Sequence, residues 1–294
     1  MIITVASGKG GTGKTTIATS LAMVTNAVTF LDCDVEAPNA HLFLYPNIEQ
    51  RQDVDLLVPV VNEGRCTGCG RCAEICQYHA IVVLAGNVLV FPELCHGCGS
   101  CTLNCPENAI SEKPKTLGIL KRGRAVTGIG FAQGVLNVGQ PMAVPVIRQL
   151  KRWGPFPSSH LIIKDAPPGT SCPVVETIRG SDFVILVTEP TPFGLHDLKL
   201  AVQVVRELNI PAGVVINRDG IGNSDVDDYC WSLGLPILMR IPMDRRIAEV
   251  LASGTVLTMA FPEYISDFRN MYTNILSLIS VETMTSELSQ SSQG

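Results

Sequence analysis

Two groups of four cysteines are the residues whose types and spacing most directly suggest chemistry. Both groups have the spacing C-x₂-C-x₂-C-x₃-C, and moving the first onto the second also superimposes two glycines, an alanine and an isoleucine. A cubane iron–sulfur cluster takes three thiolates from one tight loop and a fourth from elsewhere. The groups are Cys66, Cys69, Cys72 and Cys76, and Cys95, Cys98, Cys101 and Cys105.

Structural zinc is the alternative for these cysteines. Zinc sites usually pair two C-x₂-C knuckles separated by a dozen or more residues. Three cysteines at successive x₂ spacings, repeated in tandem, fit that pattern poorly. The spacing therefore predicts two [4Fe–4S] clusters in preference to zinc.

A glycine-rich loop near the start of the chain predicts a nucleotide site. Residues 8–15, GKGGTGKT, fit the pattern G-x-x-x-x-G-K-[ST] and stand between a predicted strand and a predicted helix. Backbone N–H groups of such a loop surround phosphate oxygens, helped by the positive end of the helix. Lys14 would reach the β- and γ-phosphates of ATP, and the Thr15 hydroxyl would bind Mg²⁺. The predicted loop residues are Gly8, Lys9, Gly10, Gly11, Thr12, Gly13, Lys14, Thr15 and Thr16.

The elements that must position these residues follow an alternating pattern. Short apolar runs alternate with helical stretches, which predicts a doubly wound α/β fold with a mostly parallel P-loop sheet. Helices are expected to begin at Lys14, near Met142, after Pro173 and near Asp197. The predicted strands lie in IITVAS, AVTFLDCD, HLIIKDAP, DFVILVTE, AGVVINR and PILMRIP.

The alternation breaks in the cysteine-rich region and resumes after it. We therefore predict an inserted module at residues 62–113. The α/β domain would then consist of a first part, residues 1–61, and a second part, residues 114–294.

Beyond the general P-loop, the chain resembles one family of ATPases. A second lysine, Lys9, follows the first glycine, as in the deviant Walker A family of MinD, ParA, Mrp and nitrogenase-iron-protein ATPases. FLDCDVEAPN and IIKDAPPGT resemble that family's first and second switches. VVINR resembles its adenine-reading segment, and RIPMD resembles the loop that closes over the base.

This resemblance implies roles for individual residues. Asp34 would orient or deprotonate the attacking water, with Asp32 supporting it or the metal, and Asp165 would hold Mg²⁺ directly or through water. A solvated acid at a strand end is the alternative for Asp34. Lys9 would reach across a dimer interface to the nucleotide of a second copy or of a paralogue. ATP or ADP would be held at the base by Asn217, Arg218, Ile241, Pro242, Met243 and Asp244.

Asn217 offers both a donor and an acceptor to an adenine edge, although a turn residue is the alternative there.

The inserted module resembles a two-cluster bacterial ferredoxin, in which the fourth cysteine of each group crosses to the other cluster. One cluster would take Cys66, Cys69, Cys72 and Cys105, and the other would take Cys76, Cys95, Cys98 and Cys101. Gln77 stands where that family usually has proline, which leaves the ligands intact. The whole chain thus resembles MinD-type ATPases with an inserted ferredoxin domain, such as the ATPases of orange-protein complexes of anaerobic bacteria.

The remaining cysteines and one histidine have simpler expected roles. Cys33 is expected in the core on the opposite strand face from Asp32, and Cys230 is expected to be buried in a helix. Cys172 follows the second switch, where a role in function is the minor alternative. His96, beside a predicted cluster ligand, is expected to be a surface side chain.

Composition and charge limit the function classes. The chain has 294 residues, is 46% hydrophobic and 17% charged, and carries a net charge of −5, which argues against nonspecific nucleic-acid binding. The absence of a signal-like start and the 11 cysteines predict a reducing cytoplasm.

The C-terminal segment is apolar in pattern but has no Lys or Arg after Arg269 and contains Glu282 and Glu287. Interfacial helices need cations. Packing against the sheet is therefore expected, without strong membrane binding, and QSSQG is expected to be a frayed end.

Three functions remain open at this stage. The first is a nucleotide-gated dimeric switch coupled to redox state or to a protein partner. The second is an ATP-dependent electron carrier that delivers electrons to a partner. The third and weakest is an iron–sulfur cluster carrier, because eight ferredoxin-type ligands retain clusters whereas donors use few exposed ones.

Overall fold

The computed structural model describes residues 1–125 and 127–291, with side chains described as far as residue 280. The strands in this part of the chain are β1 (Ile2–Ala6), β2 (Val28–Asp32), β3 (Asn47–Val61), β4 (Ile81–Leu84), β5 (Asn87–Val90), β6 (Ile110–Arg124), β7 (Gly130–Leu136), β8 (Leu161–Asp165), β9 (Phe183–Thr188), β10 (Ala212–Asp219) and β11 (Ile237–Pro242). The helices are α1 (Lys14–Val24), α2 (His41–Leu44), α3 (Arg71–Ile75), α4 (Ser100–Leu103), α5 (Val144–Trp153), α6 (Cys172–Ile178), α7 (Pro192–Glu207), α8 (Asp225–Ser232), α9 (Arg245–Ala252), α10 (Leu257–Ala260) and α11 (Tyr264–Ser291).

A large central sheet organises the chain. Its strand order is β11-β10-β9-β1-β8-β2-β7-β6-β3, and the seven strands from β11 to β7 are parallel. The six predicted strands are all present in this parallel part. The predicted α/β class with a mostly parallel sheet is therefore confirmed.

Helices cover both faces of the sheet. Helices α1, α10 and α11 pack on one face, around Ile3, Phe30 and Ile163. Helices α6, α7 and α8 pack on the other face, around Val184 and Leu186, and α5 extends that layer over β2 and β7. This two-sided burial explains why the central strands are near-continuous apolar runs.

Helix starts largely follow the prediction. Helix α1 begins at Lys14 as expected, and α5 and α6 begin close to the predicted positions. Helix α7 begins at Pro192, earlier than predicted, because the Thr191 hydroxyl accepts the Gly194 N–H at 3.0 Å and proline suits the first helical position.

A long antiparallel ribbon was not predicted. Strands β3 and β6 have 15 residues each and pair along their whole length. Only residues 118–124 of β6 also pair with β7, so residues 55–61 and 110–116 extend as a two-stranded arm past that edge. The irregularity between Val54 and Asp55 lies where the arm leaves the sheet.

The cysteine-rich region lies at the end of this arm. It contains α3, α4 and the separate β4–β5 hairpin. Its two small apolar clusters include arm residues, with Val58 beside Ala80 and Ile110 beside Ile81. The predicted boundary at residue 62 coincides with the end of β3, whereas the boundary at residue 113 falls within β6; the division into domains stays a prediction.

The C-terminal helix packs on the sheet as predicted. Phe268, Met271 and Ile275 of α11 are fully buried. The side chains of Glu282 and Glu287 lie outside the described residues, as does most of QSSQG. In the described part of the chain, no helix is both long and apolar enough to span a bilayer.

Candidate functional site

The glycine-rich loop joins β1 to α1 in a conformation that requires glycine. Gly13 caps α1 with φ of 95°, in the left-handed region. A β-carbon on Gly13 would lie 2.4 Å from Asn217 Nδ2, and one on Gly8 would lie 2.2 Å from the Asp197 carbonyl oxygen. Side chains at these two positions would therefore displace the elements packed against the loop.

A cavity of about 460 Å³ opens beside this loop. It brings together most of the predicted nucleotide residues from four separate segments. Those that line it are Gly10, Gly11, Gly13, Lys14, Thr15, Thr16, Asp34, Asn217, Arg218, Ile241, Pro242, Met243 and Asp244. The lining does not include the predicted Gly8, Lys9, Thr12, Asp32 and Asp165.

Most of the described lining that sequence reasoning missed is apolar, with Asn39 as the polar exception. Phe43 comes from α2, Ile247 and Leu251 from α9, and Leu257 from α10. These residues look like ordinary core positions in sequence, and no local motif distinguishes them. They give the cavity a wall suited to the face of a purine base.

Asp165 and Thr15 lie together beneath the loop. The Thr15 hydroxyl donates to Asp165 Oδ2 at 2.6 Å, while Asp165 Oδ1 is buried without a hydrogen-bond partner. Burial raises the pKa of Asp165 to about 7, although Thr15 and Lys14 oppose this shift. A buried carboxylate oxygen without a partner, next to a threonine hydroxyl, has the donor chemistry that Mg²⁺ prefers.

Lys14 and Asp34 are charged partners in the same pocket. Burial lowers the pKa of Lys14, and the carboxylates of Asp165 and Asp34 oppose that shift. Burial also raises the pKa of Asp34, and the Lys14 charge opposes the rise. An anion with bound metal would therefore enter a site whose charges are already partly desolvated.

Asp32 organises the first switch instead of lining the cavity. It is fully buried, and its Oδ2 accepts the N–H groups of Asn39 and Ala40 at 3.0 Å each. Its Oδ1 accepts the Asp34 N–H at 3.3 Å. Burial raises its pKa well above the usual range. Its role as a Mg²⁺ ligand stays a prediction.

Lys9 is held by its own chain. Its Nζ lies 3.2 Å from Glu189 Oε2, and Arg218 Nη1 lies 2.5 Å from Glu189 Oε1. Glu189 is 5% exposed and was not predicted, although an acid directly after a parallel strand was a usable signal. The pair anchors Lys9 beside the loop, away from the cavity.

Two of the residues predicted at the adenine end contact the loop backbone. Asn217 Nδ2 donates to the Thr12 carbonyl at 2.8 Å, and Arg218 Nη2 donates to the Gly11 carbonyl at 3.2 Å. The predicted donor of Asn217 is therefore engaged, while its Oδ1 accepts no hydrogen bond from the residues that the structure describes. Both side chains tie β10 to the glycine-rich loop.

The eight predicted cysteine ligands line two separate cavities in the cysteine-rich region. One cavity is lined by Cys66, Cys69, Cys72 and Cys105. The other is lined by Cys76, Cys95, Cys98 and Cys101. The structure thus brings together the two crossed sets of four that the ferredoxin resemblance implied.

Backbone N–H groups point at several of these sulfurs. The N–H groups of Ala80 and Ala109 donate to Cys76 Sγ and Cys105 Sγ, each at 3.3 Å. The Gly97 N–H donates to Cys95 Sγ at 3.4 Å. Hydrogen bonds to the charged form of a thiol stabilise it, so these contacts suit thiolates that bind iron.

Among the described residues, no three His, Cys, Asp or Glu side chains converge closely enough for one metal ion. A single tetrahedral ion needs all its sulfurs at about 2.3 Å. In a cubane, each iron takes one thiolate at its own corner, so the sulfurs stand further apart. Each cavity is lined by four cysteines, which is the number of thiolates that one cubane takes.

The other cysteines and His96 lie where they were expected. Cys33 and Cys230 are buried, which confirms their assignment to the core. Cys172 is exposed at the start of α6. His96 is exposed and stacks on Tyr78, with ring centroids 3.6 Å apart.

Comparisons with known proteins agree with this geometry. The family model described as the CobQ/CobB/MinD/ParA nucleotide binding domain matches residues 3–257, a range that includes every residue lining the cavity beside the loop. The uncharacterized protein MJ0579 of Methanocaldococcus jannaschii is 32% identical over 95% of this chain and 97% of its own length. An iron-sulfur cluster carrier protein of the same organism is 24% identical over 94% of this chain and 84% of its own. The septum site-determining protein MinD complexed with Mg-ADP from Pyrococcus horikoshii shares the fold, with a TM-score of 0.56, 19% identity and coverage of 95% and 97% of the two chains.

Proposed function

Because the chain belongs to the CobQ/CobB/MinD/ParA family of nucleotide-binding domains, we propose that it is a Mg²⁺-dependent ATPase that acts as a dimeric switch and carries two [4Fe–4S] clusters. One observation carries the proposal. A continuous segment runs from Asp34 in the nucleotide cavity, through the first switch, into the β3–β6 arm that bears both cysteine cavities.

Hydrolysis rests on the residues of the nucleotide cavity. Lys14 neutralises charge on the β- and γ-phosphates, and Asp34 orients the attacking water or accepts its proton. Thr15 and Asp165 hold the magnesium ion, which supplies charge neutralisation for phosphoryl transfer when bound. The unpartnered Oδ1 of Asp165 supports this assignment.

Dimerisation rests on Lys9. In a dimer formed around ATP, by two copies or by this chain and a paralogue, Lys9 reaches the partner's nucleotide. Its ion pair with Glu189 supports a resting state in which the lysine is stored on its own chain. When the dimer closes, Lys9 leaves Glu189 and binds the phosphates of the partner's nucleotide instead.

The proposal of two clusters depends on the two sets of cysteines. Both cavities have four thiols, and the equivalent contacts from Ala80 and Ala109 stabilise the thiolate form in each. When bound, the clusters supply one-electron redox chemistry. In the switch, they sense redox state or form the docking surface for a protein partner.

Electron transfer to a partner is the second candidate function. Cys69 and Cys98 are exposed, so one ligand of each set lies at the surface of the module. A cluster near the surface is accessible to a redox partner. In this alternative, nucleotide state changes the potential or the exposure of the clusters.

Cluster delivery is the third candidate. It is favoured by the name of the related iron-sulfur cluster carrier protein. The burial of Cys72 and Cys95, together with the N–H···S contacts, supports retention of clusters and makes delivery the weakest of the three.

Anaerobic purification of the full chain, with iron analysis and electron paramagnetic resonance with and without Mg-ATP, tests the proposal. We expect about eight irons per chain, MgATP-dependent dimerisation, and slow hydrolysis that Lys9→Ala abolishes. Lys199→Ala, on α7, is the matched control and is expected to behave as wild type. A colourless protein that contains zinc would refute the clusters, and unchanged dimerisation in Lys9→Ala would refute the switch.

Electron transfer and the switch differ in one readout. If cluster potentials and partner reduction respond to Mg-ATP, the electron-carrier function is supported. If dimerisation responds and the potentials do not, the switch is supported.

A further inference from the structure

A second polar cavity lies between the first switch and the root of the arm. It has a volume of about 530 Å³. It shares no lining residue with the nucleotide cavity. It is lined by Pro38, His41, Tyr45, Pro46, Ile48, Arg51, Lys121, Gln133 and Val135.

Three of its side chains form a row across the sheet. Arg51 of β3 is paired with Lys121 of β6, and Lys121 is paired with Gln133 of β7. Paired residues on neighbouring strands project from the same face of a sheet. The row therefore presents two cations and an amide to one cavity.

The charges in this row lack a counterpart. Arg51 and Lys121 stand directly opposite each other, an arrangement that is unfavourable for like charges. Neither makes a hydrogen bond or an ion pair within the described chain, and no acidic side chain is among the described residues that line the cavity. An anion between the two cations would remove the repulsion.

Gln133 gives a second, independent indication of a ligand. The residue is 5% exposed, and its Oε1 is buried without a hydrogen-bond partner. The buried Nδ1 of His41, another residue of the lining, also has no hydrogen-bond partner among the described residues. Leaving such an acceptor unsatisfied is costly, and a hydroxyl group on a ligand would satisfy Gln133.

We propose that this cavity binds a small organic anion, a phosphate or carboxylate that also carries a hydroxyl group. Arg51 and Lys121 hold the anionic group, and Gln133 Oε1 accepts the hydroxyl. The apolar side chains of Pro38, Ile48 and Val135 contact the carbon skeleton. A volume of about 530 Å³ suits a small metabolite.

Because of the position of the cavity, we expect its ligand to regulate the first switch. His41 belongs to α2, whose preceding residues Asn39 and Ala40 are bound by Asp32. Arg51 and Lys121 belong to the parts of β3 and β6 that lie in the central sheet and continue into the arm. An occupant therefore contacts both the first switch and the strands that lead into the arm. It also lies near Asp32, whose strand position pairs with Gln133.

Calorimetric titration of the full anaerobic chain, saturated with Mg-ADP so that the glycine-rich loop is filled, tests the site. The probes are glycerol 3-phosphate, glycerate, inorganic phosphate and glycerol. We expect glycerol 3-phosphate or glycerate to bind at one site per chain, which identifies the anionic group. Inorganic phosphate is expected to bind about tenfold more weakly or not at all, because it lacks the carbon skeleton with its hydroxyl group. Glycerol is expected not to bind, because it lacks the anionic group.

Two variants and a control separate this site from nonspecific binding. Lys121→Gln is expected to weaken binding of the organic anion at least tenfold. Lys113→Gln, an exposed lysine on the same strand outside the cavity, is expected to leave it unchanged. Gln133→Leu is expected to weaken the hydroxylated anion about tenfold while leaving any inorganic phosphate affinity unchanged. Absence of binding by both organic anions, or equal binding by the two lysine variants, would overturn the proposal.

Discussion

Replacing Asp165 by Asn is expected to stabilise the nucleotide-free protein while removing its response to magnesium. Asp165 is 1% exposed, and burial raises its pKa from 3.8 to about 7. At 1.36 kcal/mol per pKa unit, the buried charge costs roughly 4 kcal/mol. Asparagine has nearly the same shape, keeps an acceptor for the Thr15 hydroxyl and carries no charge.

The sign of the pH dependence follows from proton binding. The unfolded carboxyl loses its proton near pH 3.8, whereas the folded one keeps its proton up to about pH 7. Between these values the native state binds more protons, so Asp165 makes the protein less stable as pH rises. Above about pH 7 the buried Asp165 carboxylate is ionised, and it destabilises the folded state by the full amount. The free energy of unfolding of Asp165→Asn is therefore expected to exceed that of the wild type most at pH 8 and to match it near pH 4.

Thermal unfolding in magnesium-free buffer, at a fixed heating rate and anaerobically, measures this difference. About 4 kcal/mol corresponds to a rise on the order of 10 °C in the midpoint at pH 8. Asp53→Asn, an exposed carboxylate on β3, is the matched control and is expected to leave the midpoint unchanged. Mg-ADP is expected to raise the wild-type midpoint and to have a smaller effect on Asp165→Asn. A lower midpoint for Asp165→Asn at pH 8, or an equal response to Mg-ADP, would refute the reasoning.

Three other substitutions test separate parts of the proposed site. Cys105→Ser is expected to reduce bound iron by about half, because it removes one ligand of one set. The control Cys172→Ser is expected to keep the wild-type iron content. Loss of all iron, or of none, in Cys105→Ser would contradict two separate clusters. Glu189→Gln is expected to lower severalfold the protein concentration needed for half-maximal ATP-dependent dimerisation, measured by sedimentation. The reason is that the partly exposed ion pair with Lys9 stabilises the monomer by about 1 kcal/mol. Weaker dimerisation of this variant would contradict the storage of Lys9 on Glu189. Gly13→Ala is expected to abolish nucleotide binding in equilibrium dialysis. A β-carbon at this position would lie 2.4 Å from Asn217 Nδ2, and the backbone φ of 95° at Gly13 is unfavourable for alanine. Normal nucleotide affinity would contradict the close packing of the loop.

Local patterns were sufficient to predict six of the seven parallel strands, all but β7, and the glycine-rich loop. Strands buried on both faces are continuous apolar runs, and the loop requires glycine and lysine at fixed offsets. The crossed sets of cysteines followed from spacing together with a family resemblance. The strands and the loop depend on residues that are close in sequence, whereas the crossing of Cys76 and Cys105 was implied by the resemblance.

The pairing of β3 with β6 could not be predicted in the same way. Residues 47–53, NIEQRQD, are polar and charged, so they give no hydrophobic signal for a strand. Their pairing with residues 119–124 lies far along the chain. The ion pair between Lys9 and Glu189 likewise depends on tertiary packing that no local pattern records.

Asp32 and Asp34 show why spacing alone did not separate their roles. Two residues apart on a strand, both would project from the same face. Strand β2 ends at Asp32, however, and the chain then turns. Asp34 therefore reaches the cavity, while Asp32 stays beneath the switch and binds its backbone.

The arm also limits how nucleotide state can affect the clusters. The seven residues 55–61 of β3 extend past the sheet edge, a length of roughly 23 Å at 3.3 Å per residue. This exceeds the Debye length of about 8 Å at physiological ionic strength, so the charge of the γ-phosphate is screened at that distance. If the proposed clusters respond to ATP, we expect the response to be mechanical. The route starts at Asn39 and Ala40, whose N–H groups are bound by Asp32, and passes through α2 into a ribbon that is hydrogen-bonded along its length. The irregularity between Val54 and Asp55 is the position at which that motion can change the direction of the arm.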